Sequence, residues 1–204
     1  MSPAKVMLSP KERELVTDAG WILTKNRIIT KVYTLLGNLS EQYRVVWQQY
    51  PMLAGTEPGF HSPKILKGEQ YRGLPWVMLD QPRHFTAADS FAIRSFFWWG
   101  NFCSITLQLS GKYQAQYAAG LQEYFRLHPE KQAGWYLAVG DDAWEHHFEK
   151  DNYTPLSEQM NAVWTAFPFL KLAKKIPLQE WEGLTDFFEG TYREILQLLA
   201  GIDH

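Results

Sequence analysis

The chain holds a single cysteine, Cys103, in 204 residues, so no disulfide forms within it and the fold must rest on its core. A lone thiol fits a reducing compartment, and the expected location is cytoplasmic. Basic charge is not in surplus either: 20 Lys and Arg stand against 22 Asp and Glu, a net charge of −2. That balance offers no field for phosphate backbones and argues against nucleic-acid binding. No polybasic block addresses a membrane surface, and no apolar run reaches the roughly 18 residues of a membrane helix. The opening stretch, MSPAKVMLSPKERELV, lacks the continuous apolar core of a secretory signal. Nucleotide loops are missing as well. There is no G-x-G-x-x-G, and Gly111–Lys112 has no glycine at the Walker spacing before it. Nor is there a G-x-S-x-G elbow, an H-E-x-x-H or an H-x-H. No cofactor is expected.

What the chain has in quantity is aromatic rings: nine Trp, ten Tyr and twelve Phe. Each buries about 150–250 Å², and a chain of this length buries roughly 70% of its unfolded surface. A bulky aromatic core is the first reading and an aromatic pocket the second. The densest run is FFWWGNFCSITLQLSG, Phe96 to Gly111. If extended, Phe96 and Trp98 face one side and Phe97 and Trp99 the other, so most of these rings must be packing.

The expected fold is α+β: an antiparallel sheet of about four or more strands against long N- and C-terminal helices, in a single domain over 1–204. Ser9, Pro10 and Glu12 spell a capping box. An apolar seam then repeats every seven residues through Leu15, Ile22, Ile29, Leu36, Tyr43 and Tyr50, with a bend expected at Gly20 or Gly37. The Gly- and Pro-punctuated stretch 51–73 reads as a loop and candidate lid. Residues 74–150 read as mostly strands with one helix. LPWVML is a strand that Asp80, Pro82 and Arg83 break, and Thr86 with Asp89 opens a short helix to about Ser95. Alternation from Asn101 to Leu109 marks a half-buried strand that turns Cys103 inward. Lys112 to His128 favours helix. Trp135 to Val139 and Trp144 to Phe148 form a hairpin about Gly140–Asp142. Helices follow within 154–202, one from Thr154 to Phe167 and one after Pro177.

Two polar clusters carry the candidate chemistry. GDDAWEHHFEKDNY gathers Asp141, Asp142, Glu145, His146, His147, Glu149 and Asp151, which are ligand types for zinc or iron. Adjacent His146 and His147 point apart in a strand, so only one joins any given site. Glu145, His146 and His147 are therefore weak metal candidates. In DQPRHF, Asp80, Arg83 and His84 supply a carboxylate, an anion clamp and a general base.

The block from Arg72 to Gly111, with RGLPWVMLD, FFWWGNF and LQLSGKY, followed by WEHHFEKDNY, resembles uncharacterised bacterial proteins of the Bacteroidetes type. The resemblance covers about the middle half of the chain and transfers no catalytic or binding residue.

Three readings follow. The first is a binding protein whose aromatic pocket, from Trp76, Trp98 or Trp99, and Trp144, holds a small polar or anionic molecule oriented by Arg83, His84 and His146. The second is a metal-assisted or acid–base enzyme centred on Asp80, His84, Glu145 and His146. The third is an interaction protein whose heptad-spaced helices form a homodimer.

Overall fold

The computed structural model describes residues 6–53 and 63–202. Ser9 caps α1 (Pro10–Thr17): its hydroxyl accepts the Glu12 N–H while the Glu12 carboxylate accepts the Ser9 N–H. The expected break falls at Asp18, not at Gly20 or Gly37. Asp18 is extended, ends α1 with its N–H, and starts α2 (Ala19–Trp47) by accepting from the Gly20 and Trp21 N–H groups. One residue thus satisfies both helix ends. Gly37 sits inside the unbroken α2, where a glycine costs only about 1 kcal/mol and the surrounding seam outweighs it.

Among the described residues seven antiparallel strands form one sheet, in the order β1-β2-β3-β4-β7-β5-β6. They are β1 (Lys64–Tyr71), β2 (Leu74–Phe85), β3 (Ser90–Trp98), β4 (Phe102–Ser110), β5 (Tyr136–Ala138), β6 (Tyr153–Pro155) and β7 (Leu170–Pro177). The α+β class with terminal helices holds. Among the described residues, no helix is long and apolar enough to cross a membrane.

Several local expectations are corrected. Residues 64–71 of the supposed loop are the edge strand β1, and 54–62 lie outside the described residues. Asp80, Pro82 and Arg83 do not end β2. The strand continues across an irregularity between Asp80 and Arg83 that contains the cis Gln81–Pro82 peptide. Thr86 and Asp89 close a hairpin instead of opening a helix: the Thr86 hydroxyl accepts the Ala88 and Asp89 N–H groups. Residues 90–98 are then a central strand between β2 and β4, buried on both faces because the helices cover one side and the β1–β2 side chains with residues 139–152 cover the other. β4 is likewise buried on both faces along most of its length, not half-buried. Glycine is required at 111, where φ is +57° and a Cβ would collide with the Ala88 carbonyl and the Asp89 carboxylate. That turn delivers the chain into α3 (Lys112–Leu127).

The expected helix from Thr154 to Phe167 is absent. β6 runs into short 3₁₀ turns, and two α3 glutamines hold the irregular backbone. Gln114 donates to the Trp164 and Phe167 carbonyls, and Gln122 to those of Met160 and Ala162. Local helical spacing loses here to buried anchors at Leu156 and Trp164. Residues 143–149 are not a returning strand either, since β5 pairs with β6 and β7. Residues 139–152 instead form a flap.

The sheet therefore has two unlike faces. Val77, Leu79, Phe91, Ile93, Phe97, Ile105 and Leu172 point to the helix side, against α2, α3 and α4 (Leu184–Ile202). There Tyr43 of α2 stacks on Tyr192 of α4 at 3.7 Å, and its hydroxyl lies 2.9 Å from the Ser95 hydroxyl. The alternate residues, including Asp80, Arg94, Thr106 and Lys171, point to the opposite, distal side.

Candidate functional site

The register that puts Asp80 opposite Arg94, and Arg94 opposite Thr106, builds a polar floor on the distal side. Arg94 and Asp80 are each 2% exposed and joined by two hydrogen bonds, Nε to Oδ1 at 2.7 Å and Nη2 to Oδ2 at 3.0 Å. This bidentate fork satisfies both ions where water does not reach. Beside it Lys171 is fully buried and donates to the Ala143 and Glu145 carbonyls at 2.9 and 2.6 Å. Burial, and then the neighbouring Arg94 charge, push the Lys171 amine down to about 7. A second full cation beside Arg94 is unfavourable without its own buried anion. Lys171 fastens the flap to the sheet through those two carbonyls.

Tyr71, at the end of β1, fastens it from the other side. Its hydroxyl accepts the His146 and His147 N–H groups at 2.7 and 3.0 Å and donates to Glu145 Oε2 at 2.8 Å. Burial, with the carboxylate's hydrogen bond and charge adding to it, pushes that phenol up to about 12. Arg72 adds an outer clasp, 3.1 Å from the Glu149 carboxylate. Phe148 completes the hold by stacking on Tyr153 at 4.5 Å and meeting Phe102 edge-on.

Between the flap and strands β1 and β2 lies a cleft of about 470 Å³. Trp76 and Trp144 wall it, Met78 and Phe96 form its base, and His146 and Tyr71 bring polar atoms to it. Glycine at 68 is a packing requirement: the Trp76 indole lies against it, and a Cβ there would stand 2.5 Å from Nε1. The His146 ring is almost wholly buried, 4.8 Å from the Phe96 ring, with Nε2 3.4 Å from Arg94 Nη1. A guanidinium only donates, so Nε2 accepts and the proton of the neutral ring sits on Nδ1. Burial first, then the charges of Arg94 and Lys171, hold the ring's pKa well below the ordinary range. Among the described residues the Nδ1–H has no protein acceptor.

Of the residues singled out in the sequence, the fold brings Trp76, Trp144 and His146 to one cleft. Asp80 lies beneath it, spent on Arg94. Trp98 is buried against Tyr71 at 5.0 Å and does not line the cleft, and Trp99 is on the helix side, edge-on to Trp21. Arg83 shares the distal side but lies over Phe85, outside the lining. His84 pairs in register with Phe91 and faces Tyr113 on the helix side. The grouping of His84 with Asp80 and His146 is therefore not assembled. His147 and Glu145 lie outside the cleft lining, and His147, itself buried, has Nε2 3.2 Å from Glu145 Oε2.

Arg94, Lys171 and Tyr71 are not among the candidates that the sequence offers, because each lies on a strand where none is expected. Arg94 falls within the expected helix from Thr86 to about Ser95, and Lys171 lies between the two expected C-terminal helices. The alternation of Leu170 and Leu172 with Lys171 and Ala173 is the signal that marks β7.

No family model, curated protein or solved structure matches this chain. Its site has to be read from its own geometry.

Proposed function

We propose that the distal cleft binds a small, flat molecule that carries a hydrogen-bond acceptor. The observation behind this reading is the His146 Nδ1–H, a donor without a protein acceptor among the described residues, on a ring that lines an aromatic cleft. Two tryptophan walls suit a planar body, and one fixed donor orients it. A full negative charge gains little, since Arg94 is already matched by Asp80 and Arg83 is outside the lining. Neutral acceptors such as amides fit better than carboxylates.

The test is ligand-observed NMR and tryptophan quenching with nicotinamide, benzamide, indole and benzoate. Nicotinamide and benzamide should bind more tightly than indole or benzoate, and Trp144→Ala should weaken all four. His146→Phe keeps a ring but removes the donor. It should cost the amides about fivefold, equivalent to about 1 kcal/mol, and leave indole unaffected. Absence of saturable binding by every probe, or identical affinities in Trp144→Ala, would overturn the reading.

A second reading rests on the N-terminal arm. α1 buries none of its residues, and Leu15, Val16, Trp21, Ile22 and Leu23 are exposed. The seven-residue seam that is buried at Leu36 and Tyr43 continues uncovered through Leu15 and Ile22. We infer pairing of this arm with a second copy. Sedimentation equilibrium should then show a dimer that Ile22→Glu dissociates, and a monomer at high concentration contradicts it.

A further inference from the structure

The flap carries a second constellation whose residues are not part of the cleft lining. His147 is 3% exposed, and its Nδ1 is buried without a hydrogen-bond partner. It faces two exposed carboxylates, with Asp151 Oδ1 at 3.7 Å and Glu149 Oε2 at 3.8 Å. One ligand atom from each of the three residues lies within 4.8 Å of the others. From this geometry we propose that His147, Glu149 and Asp151 bind a divalent transition-metal ion, with Zn²⁺ as the ion of choice.

The turn makes the arrangement. Asn152 donates its side-chain amide to the His147 carbonyl at 2.6 Å, and the Asn152 and Tyr153 N–H groups both return to the Glu149 carbonyl. The chain folds back over 147–151 and brings three alternate side chains to one point. Glu145 stands on the opposite edge of the imidazole, 3.2 Å from Nε2. A carboxylate there favours the proton on Nε2 and leaves the Nδ1 lone pair directed at two anions. A lone pair facing two carboxylates is repulsive, and either a proton or a metal ion at Nδ1 relieves it. A carboxylate behind a metal-binding histidine is the usual outer support of zinc sites.

Dimensions agree as well. Ligand atoms at about 2.0–2.1 Å from a tetrahedral zinc lie about 3.4 Å apart. The separations of 3.7 and 3.8 Å from His147, with all three atoms within 4.8 Å of one another, are closed by rotation of the Glu149 and Asp151 side chains. Asp151 is 70% exposed and free to move, whereas Glu149, 67% exposed, shares its Oε2 with Arg72 Nη1 at 3.1 Å and would turn its other oxygen or exchange that contact for the ion. One imidazole and two carboxylates suit zinc and its first-row neighbours better than magnesium or calcium, which prefer all-oxygen shells. Three protein ligands leave the outer position to water. The ion would stiffen the 147–151 turn within the flap.

The test is titration of the chelator-treated full chain with Zn²⁺, and with Co²⁺ for its visible spectrum. One Zn²⁺ per chain should bind and raise the melting temperature. Asp151→Asn and Glu149→Gln, at exposed positions that leave the fold intact, should each weaken binding about tenfold or more. His147→Gln should abolish it, and the His147 Nδ1 resonance should move on zinc addition. Absence of stoichiometric zinc, or equal affinity in wild type and Asp151→Asn, overturns the proposal. So does an imidazole whose two nitrogens both stay protonated with zinc present. None of these outcomes depends on whether the cleft binds a flat molecule.

Discussion

The two faces of the sheet solve the same burial problem with opposite chemistry. On the helix side, rings and aliphatic chains of α2, α3 and α4 interlock, and the hydroxyl of Tyr43 is one of few polar groups that intrude. On the distal side an arginine, an aspartate, a lysine and a histidine are buried under an irregular flap that has no regular secondary structure. Apolar packing would have stabilised that side at least as well, since buried ion pairs are poor sources of net stability. The polar floor is thus better explained by what it positions, namely the neutral His146 ring and the flap carbonyls. The helix side holds the fold and the distal side holds the site.

The comparison is broken most forcefully by one substitution on each side. Phe188→Ala opens a hole among fully buried neighbours and should cost about 3–5 kcal/mol in urea unfolding. Asp80→Asn strips Arg94 of its partner and should cost about as much, again about 3–5 kcal/mol. The difference lies in the cleft: Asp80→Asn should also disturb nicotinamide binding, whereas Phe188→Ala should leave it intact wherever the protein is folded. Equal effects on binding would erase the distinction between the faces.

Next in size is Gly68→Ala. Its new Cβ meets the Trp76 indole, so the ring must leave the cleft wall. The expected cost is about 1–3 kcal/mol, with loss of probe binding. Gly37→Ala, with open space around its Cβ, should stabilise by up to about 1 kcal/mol and change nothing in the cleft.

Acidity sharpens the contrast further. The His146 pKa is lowered below its ordinary 6.5, so below pH 6.5 the unfolded chain takes up a proton that the folded chain refuses. The stability present above pH 6.5 is lost as pH falls toward the folded-state value. Lys171 acts in the same direction at higher pH. Between about 7 and 10.5 the unfolded chain keeps a proton that the folded chain has released, so stability rises with pH there. Urea midpoints should fall with acid in the wild type, and Lys171→Met should flatten the rise above pH 7 alone. The smallest effect belongs to the surface: breaking the exposed Arg44–Glu41 pair should change stability by no more than about 0.5 kcal/mol.

Legibility in the sequence followed the same division. The seam of α2, the face of α3 and the stripe of α4 were readable, because one buried side leaves a clear period. β3 was not, because a strand buried on both faces loses its alternation, and Thr86–Asp89 satisfies a helix start and a hairpin turn equally well. Trp76, Trp144 and His146 were identifiable as residue types suited to a pocket. Their meeting depends on an unpaired flap whose path is set by long-range contacts to Tyr71 and Lys171, some 75 and 26 residues away from the atoms they hold. His84 was misplaced for a simpler reason. The irregularity after Asp80 resets the register, so distance along the strand no longer predicts the face.

The most direct test is the protonation state of His146, read by long-range ¹H–¹⁵N correlation of its ring nitrogens from pH 5 to 8, with and without nicotinamide. The structure requires a neutral ring with the proton on Nδ1 at neutral pH and above, resisting protonation well below pH 6.5, and an Nδ1–H resonance that shifts when nicotinamide binds. A ring that protonates near 6.5, or one that carries its proton on Nε2, contradicts the account.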